Sequence, residues 1–179
     1  MKAISFIIVL CFFFISCSDK KEITNPESES LDYVQGEVAF GLKDSVTLEE
    51  VANCVYSLDN ISIDNIVSFQ YKSNLPQDSM QVIKTIFESK SYIWGGTTKT
   101  SYSNSESKIL VEFWVKSFKA EDIENWNLLK NRFRLNHSPY YFQLGILKVE
   151  VGKEKEWINN LSNSNLFRFV ELNGITHAF

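Results

Sequence analysis

Two hydrophobic periods alternate along this chain, and that alternation restricts its fold more than any other feature. Val38, Phe40 and Leu42 interleave with Glu37, Ala39 and Gly41, the period of a strand with one buried face. Thr47 with Glu50 three residues later then forms a capping-box signature. Leu48, Val51, Val55 and Leu58 follow at helical spacing. Val67, Phe69 and Tyr71 return to the strand period, and Asn74-Leu75-Pro76 stops it. A helix over about 78–89 buries Val82, Ile83, Ile86 and Phe87. After Gly95-Gly96, the polar segment Thr97 to Lys108 reads as one strand and the turn of a hairpin, whose second strand is Ile109, Val111, Phe113 and Val115. A helix over 120–134 presents Ile123, Trp126, Leu129 or Lys130, and Phe133 along one side, and His137-Ser138-Pro139 ends it. Leu147, Val149 and Val151 predict a strand, 153–161 a short helix around Trp157 and Ile158, and 167–172 a closing strand.

Strand, helix, strand, helix, hairpin, helix, strand, helix, strand, joined by short connections, predicts α+β layering. Helices would cover one face of a largely antiparallel sheet. Residues 37–71 and 144–172 echo each other: each reads strand, Gly-containing turn, acid-rich helix start, helix, strand. The echo predicts two ferredoxin-like, split βαβ units, as two lobes or one continuous sheet. The expected divisions are 1–16, 17–35, 36–92 (a first βαβ-α unit) and 93–179 (the hairpin and a second αβαβ unit).

The first of these divisions is set by physics of a different kind. Lys2 precedes an apolar run, Ala3 to Ile15, of about 13 residues, the length of a signal-peptide core and too short to span a bilayer comfortably. Ser16, a small residue, precedes Cys17, and strongly polar sequence follows at once. Phe14-Ile15-Ser16-Cys17 resembles the lipobox of bacterial lipoproteins, with Phe14 where Leu is commonest. The resemblance implies cleavage before Cys17, a diacylglycerol thioether on its sulfur and an amide-linked acyl chain such as palmitate. Because each buried methylene adds about 0.8 kcal/mol, two or three chains hold a protein firmly on a membrane. Ser18-Asp19-Lys20-Lys21-Glu22 resembles the surface-export signals of Bacteroidetes-type lipoproteins, and serves equally as a soluble tether. The whole chain looks like an uncharacterised group of such lipoproteins. The implied address is the cell envelope, on the outer membrane, and the implied first partner is the membrane itself.

Cleavage takes 16 of the 179 residues and leaves 163. It removes Lys2, so 17 bases face 22 acids, a net charge of −5. No Lys/Arg stripe is present, which argues against nucleic acid as a partner. With Cys11 removed and Cys17 acylated, Cys54 stands alone, and a disulfide within the mature chain is impossible. Its neighbours Val51, Ala52 and Val55 mark it as a small core residue. Residues 18–35 form a polar linker carrying Pro26, with a reach of about 20–25 Å.

Catalytic groupings are sparse. His137 and His177 have no metal-ligand spacing. There is no Gly-x-Ser-x-Gly elbow, although a triad assembles in space and not along the chain. Gly95-Gly96 lacks the ending of a phosphate loop, and Asp59 to Asn65 lacks the central Gly and closing Glu of a calcium loop and reads as an ordinary turn. No cofactor and no metal is implied, and the reading is non-enzymatic. Trp94, Tyr102 and Trp114 lie on or near the hairpin, and Trp114 points away from Phe113 and Val115. These aromatics are candidates for a binding patch on the helix-free face.

A second resemblance concerns function. Gly36-Glu37-Val38-Ala39-Phe40-Gly41-Leu42-Lys43-Asp44-Ser45-Val46-Thr47-Leu48-Glu49-Glu50 is similar to the opening of propeptide-type inhibitor domains of subtilisin-like proteases. Leu147 to Trp157, ending in Phe169-Val170-Glu171-Leu172-Asn173, is similar too. No protease follows. The resemblance implies a sheet that docks on a protease and a C-terminal tail, Asn173, Gly174, Ile175, Thr176 and His177, lying in the substrate cleft. The two expectations are therefore an envelope binding module, whose partner is an envelope protein, and an inhibitor, whose partner is a protease.

Overall fold

The structure, a computed structural model, describes residues 32–140 and 142–174. Cys17, the signal and the tether up to Leu31 lie outside the described residues, as do Ile175, Thr176 and His177. Within them the chain is α+β: four α-helices and one seven-stranded antiparallel sheet. No helix among the described residues is long and apolar enough to cross a membrane.

Strand β1 (Tyr33–Leu42) leads through the capped turn at Thr47 into α1 (Leu48–Tyr56) and then β2 (Ile61–Ser73). The capping box forms as the sequence predicts: Glu50 N–H donates to Thr47 Oγ1 at 3.3 Å, and Thr47 N–H donates to the Glu50 carboxylate at 2.8 Å. A single 3₁₀ turn, Gln77–Ser79, precedes α2 (Met80–Glu88). The hairpin is β3 (Lys99–Ser103) and β4 (Lys108–Lys116), followed by α3 (Asp122–Arg132) and a short β5 (Leu135–His137). Then come β6 (Leu144–Val149), α4 (Glu154–Ser162) and β7 (Phe167–Gly174).

The strand order is β3-β4-β2-β6-β1-β7, with β5 also paired to β2. β1 and β2 run in the same direction with β6 between them, because each is antiparallel to β6. β6 and β7 are likewise parallel, with β1 between them. The two echoing segments therefore interleave in one sheet. Across position 92/93, β2 pairs with β4 from Asn65 to Ser73.

All four helices feed one buried cluster on one face of this sheet. Val38, Phe40 and Leu42 of β1 meet Leu48, Val51 and Val55 of α1 in it, and Leu161 of α4 joins them. At the other end the core is aromatic. Phe87 packs edge-on to Phe113 at 5.1 Å, Tyr71 edge-on to Trp126 at 5.1 Å, and Phe69 stacks on Phe113 at 6.1 Å.

Several expectations need correction. Residues 33–35 belong to β1 and not to the tether, because Tyr33 pairs with Gly174. Residues 61–65, expected in a turn, are the first half of the 13-residue β2. Pairing with β6 holds them there, and an irregularity at Asp64 hides their alternation. Val82 is 52% exposed on the outer side of α2, where Ile83 and Phe87 take the core positions. Val151 lies past the end of β6 in the turn to α4 and is 62% exposed. His137 does not end its unit; it closes β5, opposite Tyr71.

Candidate functional site

The face of the sheet turned away from the helices is uncovered by any described element. Two rows of residues cross it over the same five strands. The first row is given by successive backbone pairings: Glu171 on β7 opposite Ala39 on β1, Ala39 opposite Ile146 on β6, Ile146 opposite Asn65 on β2, and Asn65 opposite Lys116 on β4. The row begins with an exposed acid and ends with an exposed base. At about 4.8 Å per strand, their Cα atoms lie about 19 Å apart.

The second row is apolar. Phe169 on β7 pairs with Gly41 on β1, and Gly41 pairs with Leu144 on β6. Val67 follows on β2. A bulge there sets Val67 and Ser68 against Trp114 of β4, with Ser68 at φ +63°. Trp94, 45% exposed, extends the row: its ring stands edge-on to Trp114 at 6.3 Å, and its N–H donates to the Trp114 carbonyl at 2.9 Å. Ala39, Val67, Leu144, Ile146, Phe169 and Glu171 line a groove of about 240 Å³ between β7 and β2.

Glycine makes this surface. A Cβ on Gly41 would lie 2.4 Å from Phe169 Cε1, so the phenyl ring rests on bare backbone. On the opposite face a Cβ on Gly145 would meet Phe40 Cζ at 2.4 Å and the Asn65 carbonyl oxygen at 2.6 Å. Gly145 thus lets Phe40 lie flat in the core.

Other charges on the open face are paired within the chain. Lys148 donates to Glu37, whose second oxygen accepts from Asn173 at 2.5 Å. Burial pushes the Glu37 carboxyl up, but these two hydrogen bonds and the Lys148 charge outweigh it and hold the group below its ordinary range. The same bond raises Lys148. Lys99 lies 3.6 Å from Glu112. Glu171 and Lys116 form no ion pair among the described residues.

Trp94 and Trp114 are thus brought together on the open face, as the alternation of β4 predicts. Tyr102 is not with them. It pairs with Ile109, which faces the core, so its side chain packs against the helix side. Asn173 and Gly174 are strand residues of β7 and not the start of a free tail; Gly174 pairs with Tyr33 and Asn173 holds Glu37. Phe169, Ile146, Glu171 and Lys116 are not among the binding residues the sequence suggests. Their individual alternation was visible, but their common row depends on register between strands far apart in the chain.

His137 sits half-buried on the helix side, its ring edge-on to Tyr71 at 5.3 Å and Nε2 at 3.2 Å from Gln143 Nε2. Burial lowers its pKa against the pull of Glu49 and Glu50. No serine or carboxylate stands at hydrogen-bond distance from it among the described residues. Glu49 pairs with Lys130; burial pushes its carboxyl up, but the Lys130 hydrogen bond and charge together with further hydrogen bonds outweigh it and lower the pKa. Cys54 is half-buried on α1, against the core.

No protein-family model matches the chain, and no curated protein or solved structure matches it either.

Proposed function

We propose that this protein is a lipid-anchored, non-enzymatic module of the bacterial cell envelope that binds a protein partner through the open face of its sheet. The observation that carries the binding part is the apolar row Phe169–Gly41–Leu144–Val67–Trp114, five strands wide and uncovered among the described residues. Contiguous apolar surface on that scale marks an interaction site. The anchoring part rests on Phe14-Ile15-Ser16-Cys17 after its apolar run. β1–α1–β2 and β6–α4–β7 are read as split βαβ units of the ferredoxin-like kind that share this sheet, with α2 to β5 inserted between them.

The test has two arms. Cells fed a palmitate analogue incorporate it into the wild-type chain, and Cys17→Ala abolishes both the label and recovery in the membrane fraction. Tryptophan fluorescence of Trp94 and Trp114 reports occupancy of the open face. An unlabelled, soluble wild type overturns the anchor, and a face that nothing in the envelope protects from modification overturns the binding role.

One feature favours inhibition of a subtilisin-type protease as a second reading: β7 is an edge strand whose chain runs directly into residues 175–179. Inhibition of such a protease by the chain, lost when 175–179 are deleted, supports it; absence of inhibition at micromolar protein rejects it.

A further inference from the structure

We infer that the occupant of the open face is a second copy of this chain, packed sheet to sheet about a two-fold axis that runs along β6. The inference rests on the binding role proposed above and names its partner.

Symmetry and charge single out this packing. β6 is the middle of the five strands that carry both rows. An axis lying in the interface along β6 carries the β7 end of one copy onto the β4 end of the other. An isologous contact of this kind requires residue i to meet j while j meets i. The first row satisfies that requirement. Glu171 of each copy meets Lys116 of the other, Ala39 meets Asn65, and Ile146 meets its own counterpart on the axis. The second row satisfies it as well, since Phe169 of each copy meets Trp114 of the other and Leu144 meets itself.

Glu171 and Lys116 are the charges on these rows without an ion pair among the described residues, while Glu37, Lys148, Glu112 and Lys99 are already paired. Stacked sheets sit about 10 Å apart, and a two-fold axis along β6 keeps the facing β6 strands aligned, within the range of aligned sheet packing. The long Glu and Lys side chains span the gap at the two ends of the row.

The size of the face sets the strength. Five strands and about six residues of length give roughly 500 Å² per copy, near the lower limit of about 1,000 Å² total for a specific interface. The dimer is accordingly weak in solution, with a dissociation constant on the order of 1–100 μM.

Charge exchange tests this on the full chain in non-ionic detergent, by sedimentation over a concentration series to about 200 μM. Wild type dimerises. Glu171→Lys and Lys116→Glu each weaken the dimer at least about tenfold, because each places like charges opposite one another. The double exchange Glu171→Lys/Lys116→Glu restores it to within about threefold. Both positions are exposed, so neither change touches the core. A wild type that is monomeric throughout, or single exchanges without effect, overturns the inference. A photo-cross-linker at Ile146, used in the envelope, separates this from failure of the underlying role. A covalent dimer supports self-association. An adduct with a different protein overturns self-association and leaves the binding role standing, and no adduct overturns both.

Discussion

The Glu154 carboxylate reaches back 118 residues along the chain to accept the Gly36 N–H at 2.7 Å, and the same oxygen accepts the Gly152 N–H at 3.1 Å. Both glycines have positive φ, +73° and +85°, so their N–H groups point where a regular strand could not send them. Glu154 is 2% exposed, and through it the first turn of α4 is tied to the beginning of β1.

Loss of this carboxylate destabilises the fold. Glu154→Gln weakens two charge-assisted bonds and costs about 1–3 kcal/mol in a urea titration. The Gly36 hydrogen bond is the largest influence on Glu154 and lowers its pKa below 4.5. Its contribution is therefore complete above the ordinary carboxylate range and is lost as pH falls through the lowered value. The variant shows a flatter loss of stability with acid than wild type; equal slopes would show that Glu154 titrates normally.

Gly145→Ala and Gly41→Ala separate the two faces. At Gly145 the new methyl meets backbone, the Asn65 carbonyl, which cannot step aside, and the cost is about 1–3 kcal/mol. At Gly41 the three nearest atoms all belong to the Phe169 ring, which stands on the open face and swings away, so the cost is about 1 kcal/mol or less. Thermal unfolding of the two variants side by side gives the comparison.

His137 contributes a second pH dependence. Its pKa is lowered by burial, so the folded state favours the neutral ring, to which the Gln143 amide donates. The associated stability is present above pH 6.5 and declines as pH falls through the lowered value. His137→Phe preserves the ring against Tyr71 and removes this decline. An NMR titration of the imidazole places its midpoint below 6.5.

The tryptophans divide by environment. Trp126 is fully buried between Tyr71, Phe87 and Phe113, and Trp126→Ala costs about 3–5 kcal/mol. Trp94→Ala removes one edge-on contact with Trp114 and costs about 1 kcal/mol or less. Denaturation midpoints distinguish the two, and of these two only Trp94 is open to an aqueous quencher.

Much of the local structure was legible in the sequence, because hydrophobic period and capping chemistry act over a few residues. Thr47 and Glu50 announced α1, the alternation from Ile109 to Val115 announced β4 and the outward direction of Trp114, and the run of elements announced an α+β sheet. Where a bulge or a partner strand overrode the local signal, the reading failed. Ile61 to Asn65 looked like a turn, and Tyr102 looked like a companion of Trp114 although it shares a face with Ile109.

The arrangement of the open face lay beyond the sequence for the same reason. Period two tells which side of its own strand a residue takes. It does not tell which residue on another strand lies beside it. Glu171, Ala39, Ile146, Asn65 and Lys116 come from five strands spread over most of the folded chain, and only backbone hydrogen bonding between those strands sets them in one row.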